Sequence, residues 1–465
     1  DDTMLKRLLT SVTAAVLTAV LVLGQIPAIK ASALIFTPNA TVQSDSAILM
    51  NTDINEIVYE KNADMKKMPG SLVQIMTAVI VLEECEDLSG TKLTAKEDMF
   101  EIFDQDEYPE DLRKANIEAG DSLTVEDLLY AMMLTSSVEA AYMLCDKFGD
   151  GSQDKFAEKM NAKAEQLGMT NTRFLNGTGL YSARQLTTAR DMMTLLCYAM
   201  SLQRFEAIAC ANTYTASTAT AHEKRDLWAW SHSNLMVNES SEYYCNGVHG
   251  IKTANTQEGG RCIACKGSRD GYNYLLICLD SQMQDLDGNN HFYHLEDAKN
   301  ILEWAFVHLT FQEILPANTQ LGEIAVNNAE ENDYVIVQPT EGYSCIWCDT
   351  TDIKSVQKVF NWPEKIDAPV HAGDKVGTVV LKLSGETLAE IDVVAASDVK
   401  RSFWRYNLSE IPGFFKSKYL RNTWILGIVL SLLYIGGCIY FAFRYHEDRK
   451  KRAAARAGHL RNQSR

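Results

Sequence analysis

Ser71 is the first side chain in this 465-residue chain whose position suggests chemistry. It precedes the apolar run Leu72–Leu82, which contains no helix breaker and predicts a buried helix. A serine in the first turn of a helix lies near free backbone N–H groups and the positive end of the helix dipole, which favour developing negative charge. Ser71 could therefore act as a nucleophile. Taken alone, however, the pattern favours an ordinary helix N-cap.

The segments that must position Ser71 follow a mixed α/β pattern. Ala47–Met50 and Ile57–Glu60 flank a polar turn and predict a β-hairpin before the helix. Strands and amphipathic helices continue to about Leu309. From about Gln320 to Val399 the pattern changes to short strands rich in Val and Ile with turns between them, which predicts a second, all-β domain.

The order of these segments resembles the serine D-alanyl-D-alanine carboxypeptidases, the low-molecular-mass penicillin-binding proteins, whose motifs are S-x-x-K, S-x-N and K-T-G. Pro69–Ala78 is similar to the family's nucleophile helix, Leu123–Ala141 to its second-motif region and Gly247–Ala254 to its third-motif strand. Asp367–Val370 resembles part of the β-sandwich that follows. The resemblance covers roughly residues 40–405. It implies a penicillin-binding α/β domain with an antiparallel sheet and a helix cluster, followed by a small β-sandwich.

The first motif departs from the family at the residue that would activate Ser71. A lysine three residues after the serine would lie on the same helical face and take up, or help to take up, the hydroxyl proton. Here that position is Gln74. An amide does not accept a proton usefully near neutral pH, so Ser71 would remain a hydroxyl. The first motif therefore predicts an inactive or weakly active enzyme.

The second and third motifs are also incomplete. Ser136 is kept, but Val138 replaces the asparagine that would bond to the substrate backbone. Lys252 and Thr253 are kept, and the resemblance implies that they meet the substrate's terminal carboxylate. Ala254 replaces the family glycine, and its methyl group is expected to narrow a gap where backbone approaches ligand.

Both ends of the chain carry targeting signals. Lys6 and Arg7, the apolar run Leu8–Gly24 and the triplet Ala31–Ala33 have the layout of a signal peptide over residues 1–33. Residues 424–443 form an uncharged stretch of membrane-spanning length, and residues 444–465 form a basic tail. The positive-inside rule places this tail in the cytoplasm and the body of the chain at the bacterial cell surface.

The remaining bounds are a carboxypeptidase-like domain over residues 34–312, a β-sandwich over 313–402 and a juxtamembrane segment over 403–423. Because both ends are basic, the body between them is more acidic than the net charge of −17 indicates. An acidic body repels phosphate backbones, which argues against nucleic-acid binding. The acidic segment Glu101–Asp111 favours a solvated loop.

Cysteines and histidines give weaker signals. The pairs Cys262/Cys265 and Cys345/Cys348 have zinc-like spacing, but they lie in strand-like surroundings, where residues three apart point to opposite faces. Buried thiols and local disulfides both fit these pairs. The nine histidines show no metal-binding spacing, so no cofactor or metal is expected.

Three hypotheses of function follow. The first is a catalytically impaired, membrane-anchored homologue that binds peptidoglycan stem peptides ending in D-Ala-D-Ala, or wall-associated proteins. The second is a working serine carboxypeptidase that uses Ser71 with Lys252 as a replacement base. The third is a transmembrane wall sensor whose basic tail reports ligand occupancy, although a basic run beside a span is more typical of a topology signal.

Overall fold

The computed structural model describes residues 34–103, 114–218 and 228–462. The predicted signal peptide and most of the acidic segment lie outside these residues. The described chain forms two compact units. The first runs through Gln312 and includes Cys345–Ile353; the second comprises Glu313–Ser344 and the chain from Lys354 onward.

The first unit is built on a five-stranded antiparallel sheet with the order β2-β1-β9-β8-β7. Two short strand pairs, β3 with β4 and β5 with β6, lie outside this sheet. The strands are β1 (Ser46–Asn51), β2 (Glu56–Lys61), β3 (Lys92–Thr94), β4 (Ser122–Thr124), β5 (Thr213–Thr215), β6 (Ala229–Ser231), β7 (Val248–Thr256), β8 (Gly260–Arg269) and β9 (Tyr272–Ser281). The predicted hairpin and antiparallel sheet are confirmed.

Eight described helices belong to this unit. They are α1 (Gln74–Glu84), α2 (Asp98–Phe103), α3 (Val125–Thr135), α4 (Val138–Phe148), α5 (Gln153–Gln166), α6 (Ala189–Ser201), α7 (Phe205–Ala209) and α8 (Tyr293–His308). A 3-10 turn, Gly70–Val73, leads directly into α1. The buried face of α1 is nearly all apolar and lies in the core with α3, α4 and α6.

Helices cover both faces of the central sheet. On one face, the sulfur of Cys197 in α6 lies 3.5 Å from the sulfur of Met50 in β1. On the other, Gly267 in β8 lies directly beneath Leu302 of α8, where a Cβ atom would be 2.8 Å from the leucine side chain. A sheet that is covered on both sides holds β7 rigidly at its edge, and β7 carries the third motif.

The second unit contains the predicted β-sandwich. Its six-stranded sheet has the order β14-β16-β17-β12-β11-β15. Strand β10 pairs separately with β13, and the division given above assigns part of each of these two strands to the first unit. The strands are β10 (Leu309–Leu315), β11 (Gly322–Asn327), β12 (Tyr334–Pro339), β13 (Tyr343–Cys348), β14 (Gln357–Asn361), β15 (Lys365–Asp367), β16 (Lys375–Leu383) and β17 (Glu386–Ala395). Side chains that alternate along β12, such as Val335 and Val337, are buried.

Two helices follow the sandwich, α9 (Phe403–Lys416) and α10 (Lys418–Asn462). Within the described residues, Lys418–Arg456 is the one helix that is long and apolar enough to cross a membrane. None of its most apolar window is buried by protein. This exposure fits a lipid-facing helix and is atypical of a core helix.

The cysteines of the described residues form no disulfides with one another. Cys262, Cys265, Cys345 and Cys348 are buried, so these pairs are packed side chains and not local disulfides. Burial raises the pKa of the Cys262 thiol to about 12. No group of three or more His, Cys, Asp or Glu side chains in the described part of the chain could hold a metal ion.

Asp127 anchors the start of α3, the helix that leads to the second motif. Its carboxylate and the Thr124 side chain form a capping box. The same carboxylate accepts hydrogen bonds from the Ser217 backbone (2.7 Å), the Thr218 hydroxyl (2.8 Å) and the Tyr214 hydroxyl (2.9 Å). Burial alone would raise the pKa of Asp127, but these hydrogen bonds outweigh burial and lower it.

We expect Asp127→Asn to lower the free energy of unfolding of the first unit by about 3 kcal/mol, because an amide cannot accept every one of these donors. Denaturant unfolding followed by tryptophan fluorescence measures the loss. Since folding lowers this pKa, the wild-type advantage is complete above the ordinary carboxyl pKa of about 4 and shrinks as the pH falls below it. The control is Glu126→Gln, which removes only a surface ion pair with Arg204. Equal losses of unfolding free energy in the two variants would contradict the role of Asp127 as the anchor of α3.

Candidate active site

The first-motif turn, the corner after α3 and the edge strand β7 meet in one cleft. The ammonium of Lys252 donates a hydrogen bond to the Ser136 hydroxyl. The Gln74 amide nitrogen lies 3.4 Å from the Ser136 carbonyl oxygen. Ala254 packs against Gly70, the residue before Ser71. Positions far apart in the sequence are thus direct neighbours.

Ser71 lies within the 3-10 turn and does not cap a helix. The cap of this turn is Pro69, the residue that caps α1 is Val73, and neither cap has a side-chain hydrogen bond. The N-cap interpretation is therefore wrong. Ser71 is half-buried, with its backbone against Gly179. A Cβ atom at Gly179, where φ is +86°, would lie 2.7 Å from the Ser71 Cα atom, so only glycine fits here.

Ala254 packs against the turn that carries Ser71. It is 5% exposed, and a Cβ atom on Gly70 would lie 3.0 Å from the Ala254 methyl carbon. Gly70 has φ +51°, in the region that favours glycine. The methyl group therefore occupies space that the neighbouring glycine leaves empty. The expectation that it narrows the gap where ligand approaches backbone stays a prediction.

Gln74 is fully buried at the start of α1. Its amide nitrogen donates a 2.7 Å hydrogen bond to the carbonyl oxygen of Thr178. Its amide oxygen is buried and has no hydrogen-bond partner among the described residues. In this position Gln74 acts as a hydrogen-bond donor to backbone, a role that requires no change in protonation.

Ser136 occupies a left-handed turn at the end of α3, with φ 65° and ψ 27°. Its hydroxyl oxygen accepts from the Lys252 ammonium and is also 3.3 Å from the Thr253 carbonyl oxygen, to which it donates. The Lys252 ammonium donates to the same carbonyl at 3.1 Å. The ammonium, hydroxyl and carbonyl therefore form a closed triangle of hydrogen bonds.

Val138 begins α4 and is 4% exposed, within the apolar core. The next residue, Glu139, accepts hydrogen bonds from the Ser137 hydroxyl (2.6 Å) and the Ala115 backbone (2.8 Å). Burial raises the pKa of Glu139, and these hydrogen bonds only partly offset that effect. Glu139 thus links the second-motif corner at Ser137 to the segment that contains Ala115.

Three contributors to the cleft were missed from sequence. Thr178 and Gly179 come from a loop between helices, where the only signal was a turn-rich composition. Ser233 places its hydroxyl 2.8 Å from the Thr253 hydroxyl, and its backbone N–H donates to Leu134. No motif marks Ser233.

His232, one of the nine histidines without metal-binding spacing, is buried beside the cleft. Its Nδ1 atom accepts from the Asn234 backbone, so its Nε2 atom donates to the Ala209 carbonyl oxygen at 3.2 Å. Burial, together with the nearby Lys252 charge, lowers the pKa of His232 to about 4. The imidazole is therefore neutral at physiological pH and positions the adjacent Ser233.

The arrangement offers hydrogen-bond donors to an anion. A buried ammonium and the half-buried hydroxyls of Thr253 and Ser233 can bind a carboxylate. On the other side of the cleft, Gln74 lies one helical turn from Ser71, and its amide donates hydrogen bonds. It provides no acceptor of useful basicity for the serine proton.

Comparison with known proteins agrees with this geometry. Residues 33–283 match the family of D-alanyl-D-alanine carboxypeptidases, and residues 310–401 match the C-terminal domain of penicillin-binding protein 5. The chain is 26% identical to D-alanyl-D-alanine carboxypeptidase DacF of Bacillus subtilis, over 77% of this chain and 87% of that protein. It is 30% identical to a D-alanyl-D-alanine carboxypeptidase of Streptomyces, over 52% of this chain and 82% of that protein.

Among solved structures, the fold is similar to D-alanyl-D-alanine carboxypeptidase DacD of Francisella tularensis, with a TM-score of 0.57 and 22% identity. That comparison covers 79% of this chain and 97% of the other. The family match spans the three motif segments, and the sandwich match spans the β-rich unit. This chain therefore belongs to the D-alanyl-D-alanine carboxypeptidase family, peptidase S11.

Proposed function

We propose that this protein is a catalytically impaired family member that binds wall peptides ending in D-Ala-D-Ala without hydrolysing them. The observation that carries the proposal is the buried hydrogen bond from the Gln74 amide to the Thr178 carbonyl oxygen. Gln74 stands at the position of the family's proton-accepting lysine. Its amide donates a hydrogen bond and does not titrate.

The loss of the base has a large kinetic cost. General base catalysis contributes roughly 10²–10⁴-fold, and a nucleophile and its base act as a unit, so removing one member costs nearly as much as removing both. Val138 adds a second loss, since its buried side chain offers no polar contact to a substrate backbone. Gln74 affects proton transfer, and Val138 affects the contact with the substrate backbone. Losses in two separate functions argue for impairment and against a fine adjustment of rate.

Ligand binding can persist because the residues that would bind the carboxylate are separate from the position of the missing base. Lys252 lies in a rigid sheet, and Thr253 and Ser233 present paired hydroxyls beside it. A ligand carboxylate that meets a buried ammonium gains a charge-assisted hydrogen bond. Peptidoglycan stem peptides with free D-alanine carboxylates are the ligand class we propose, and wall-associated proteins are the other class.

One observation favours a second function, a slow carboxypeptidase. The hydrogen bond between Lys252 and the Ser136 hydroxyl would let a neutral Lys252 relay a proton from Ser71 through Ser136. The same lysine also donates to the Thr253 carbonyl oxygen, and an ammonium that donates to two oxygens cannot accept a proton. Proton relay would therefore require Lys252 to lose its proton first.

We further propose that the protein is exported and anchored by a single span over residues 424–443, with residues 1–33 removed and residues 444–465 in the cytoplasm. The apolar, exposed helix α10 supports this topology. Arg449–Arg452, four consecutive basic residues after the span, support the orientation. The domain bounds at residues 312, 402 and 423 remain part of the same proposal.

We expect fluorescent penicillin to leave the detergent-solubilised wild-type protein unlabelled and to label Gln74→Lys at least about 100-fold faster. A lysine at position 74 would be buried near Lys252, and both burial and the like charge would lower its pKa toward that of a useful base. Adding Val138→Asn should increase labelling further. In-gel fluorescence and mass spectrometry of the adduct provide the measurement.

The control for this experiment is Ser71→Ala in the Gln74→Lys background, which should remove all label. Prompt labelling of the wild-type protein at Ser71 would overturn the impaired assignment. Labelling that survives Ser71→Ala would show that the adduct forms elsewhere.

The carboxylate site can be tested without catalysis. Lys252→Met should weaken binding of a pentapeptide ending in D-Ala-D-Ala by about 10–100-fold, because a hydrogen bond to a charged group is lost. Calorimetry measures the Kd. Lys266→Met is the matched control, since Lys266 lies on the next strand and pairs with Glu206 at the surface. Unchanged affinity in Lys252→Met would refute the site, provided that melting shows the variant is folded.

The slow-enzyme alternative predicts release of D-alanine from the same pentapeptide over hours. The release should disappear in Ser71→Ala and fall strongly in Lys252→Met, because both groups would take part in the reaction. Chromatographic detection of free D-alanine provides the measurement. Identical background release from wild type and Ser71→Ala would eliminate this alternative.

A further inference from the structure

Gln74 connects three of the segments around the cleft. Its backbone begins α1, and its amide nitrogen donates to Thr178 at 2.7 Å and lies 3.4 Å from the Ser136 carbonyl oxygen. Both neighbours are backbone carbonyl oxygens of separate segments. A fully buried position that faces two carbonyl oxygens requires a hydrogen-bond donor, since unpaired buried carbonyl groups are costly.

The segment held by Gln74 is a compact loop, residues 176–180. The Asn176 side-chain oxygen accepts from the Gly179 backbone (2.9 Å) and the Thr178 hydroxyl (3.1 Å), and its nitrogen donates to the Leu180 carbonyl oxygen (3.0 Å). These bonds close the loop on itself. The loop therefore moves as one piece, and whatever fixes Thr178 also fixes Gly179.

This loop forms the wall of the cleft beside Ser71. The close approach of Gly179 to the Ser71 backbone leaves no room for a side chain between them. One helical turn further along α1, the Thr77 hydroxyl donates to the Gly177 carbonyl oxygen at 2.8 Å. Gln74 and Thr77 are thus two side-chain tethers from α1 to the same loop.

The amide oxygen of Gln74 has no partner among the described residues, which indicates that the position favours a hydrogen-bond donor. A methionine of similar length would avoid burying that oxygen but would leave the Thr178 and Ser136 carbonyl oxygens without a donor. A glutamate would place negative charge against both. The glutamine keeps the two N–H groups and accepts the cost of one buried acceptor without a partner.

We infer that Gln74 is a positioning residue that holds the loop 176–180 against Ser71 and keeps the cleft preformed for a ligand. The part of this inference that concerns ligand affinity rests on the proposed binding function; the part that concerns the loop does not. The substitution of the family lysine thus removes proton transfer while it retains the hydrogen-bond donor. Preorganisation of this kind raises affinity because less order must be imposed when the ligand binds.

The test compares three substitutions at position 74 and one at position 77, each in the full-length protein in detergent, by hydrogen–deuterium exchange of residues 176–182. Gln74→Met and Gln74→Glu remove the donors, and we expect exchange in the loop to rise roughly tenfold or more. Gln74→Lys keeps a donor and should exchange like wild type. Thr77→Val, which removes the second tether, should give a smaller rise.

Val79→Ala is the matched control, because Val79 is fully buried in α1 and packs in the apolar core. We expect it to lower the melting temperature without changing exchange in the loop. A purely structural role for Gln74 would make Gln74→Met behave like Val79→Ala, and that result would overturn the inference. If Gln74→Met does not fold, Gln74→Glu tests the same loss of the donor, and loop exchange like that of wild type in this variant would overturn the inference.

Affinity for the D-Ala-D-Ala pentapeptide separates this inference from the proposed function. We expect Gln74→Met to bind roughly tenfold more weakly and Gln74→Lys to bind like wild type. Faster loop exchange in a protein whose wild type binds no peptide would support the positioning role and refute the binding function. Strong wild-type binding with unchanged loop exchange in Gln74→Met would do the reverse.

Discussion

The buried ammonium of Lys252 is the charge around which the cleft is organised. A full charge inside a protein is stable only when polar groups surround it, because desolvation otherwise costs several kcal/mol. Here the Ser136 hydroxyl and the Thr253 carbonyl oxygen supply that environment. The Ser136 hydroxyl lies at a left-handed turn, and the nearby His232 has a lowered pKa mainly because it is buried, with the Lys252 charge adding to that effect.

The need to stabilise the Lys252 charge also explains why an amide suits position 74. A lysine at this position would bring a second ammonium close to the first, and a catalytic member of the family can use that repulsion because it lowers the pKa of the base. An amide removes the repulsion and leaves the surrounding backbone satisfied by hydrogen bonds. A cleft that only binds gains from this exchange, since it no longer contains two like charges in a confined volume.

The sequence was informative where local pattern or motif spacing determines structure. The hairpin, the buried helix after Ser71 and the β-sandwich follow from periodicity, turns and resemblance, and the structure contains each of them. Sequence reasoning failed at the Ser71 turn, because a Gly-Ser pair before an apolar run does not distinguish an N-cap from a 3-10 turn. Thr178, Gly179 and Ser233 could not be found because their roles depend on contacts between segments about 20–110 residues apart.

The contact between Gly70 and Ala254 restricts the order in which these positions can change. Alanine at position 254 fits because position 70 has no side chain, and a side chain at position 70 would meet both the Ala254 methyl group and Thr256. Each residue is therefore neutral or harmful according to the identity of the other. Position 254 must therefore become glycine before position 70 can carry a side chain, because the opposite order passes through an overpacked intermediate.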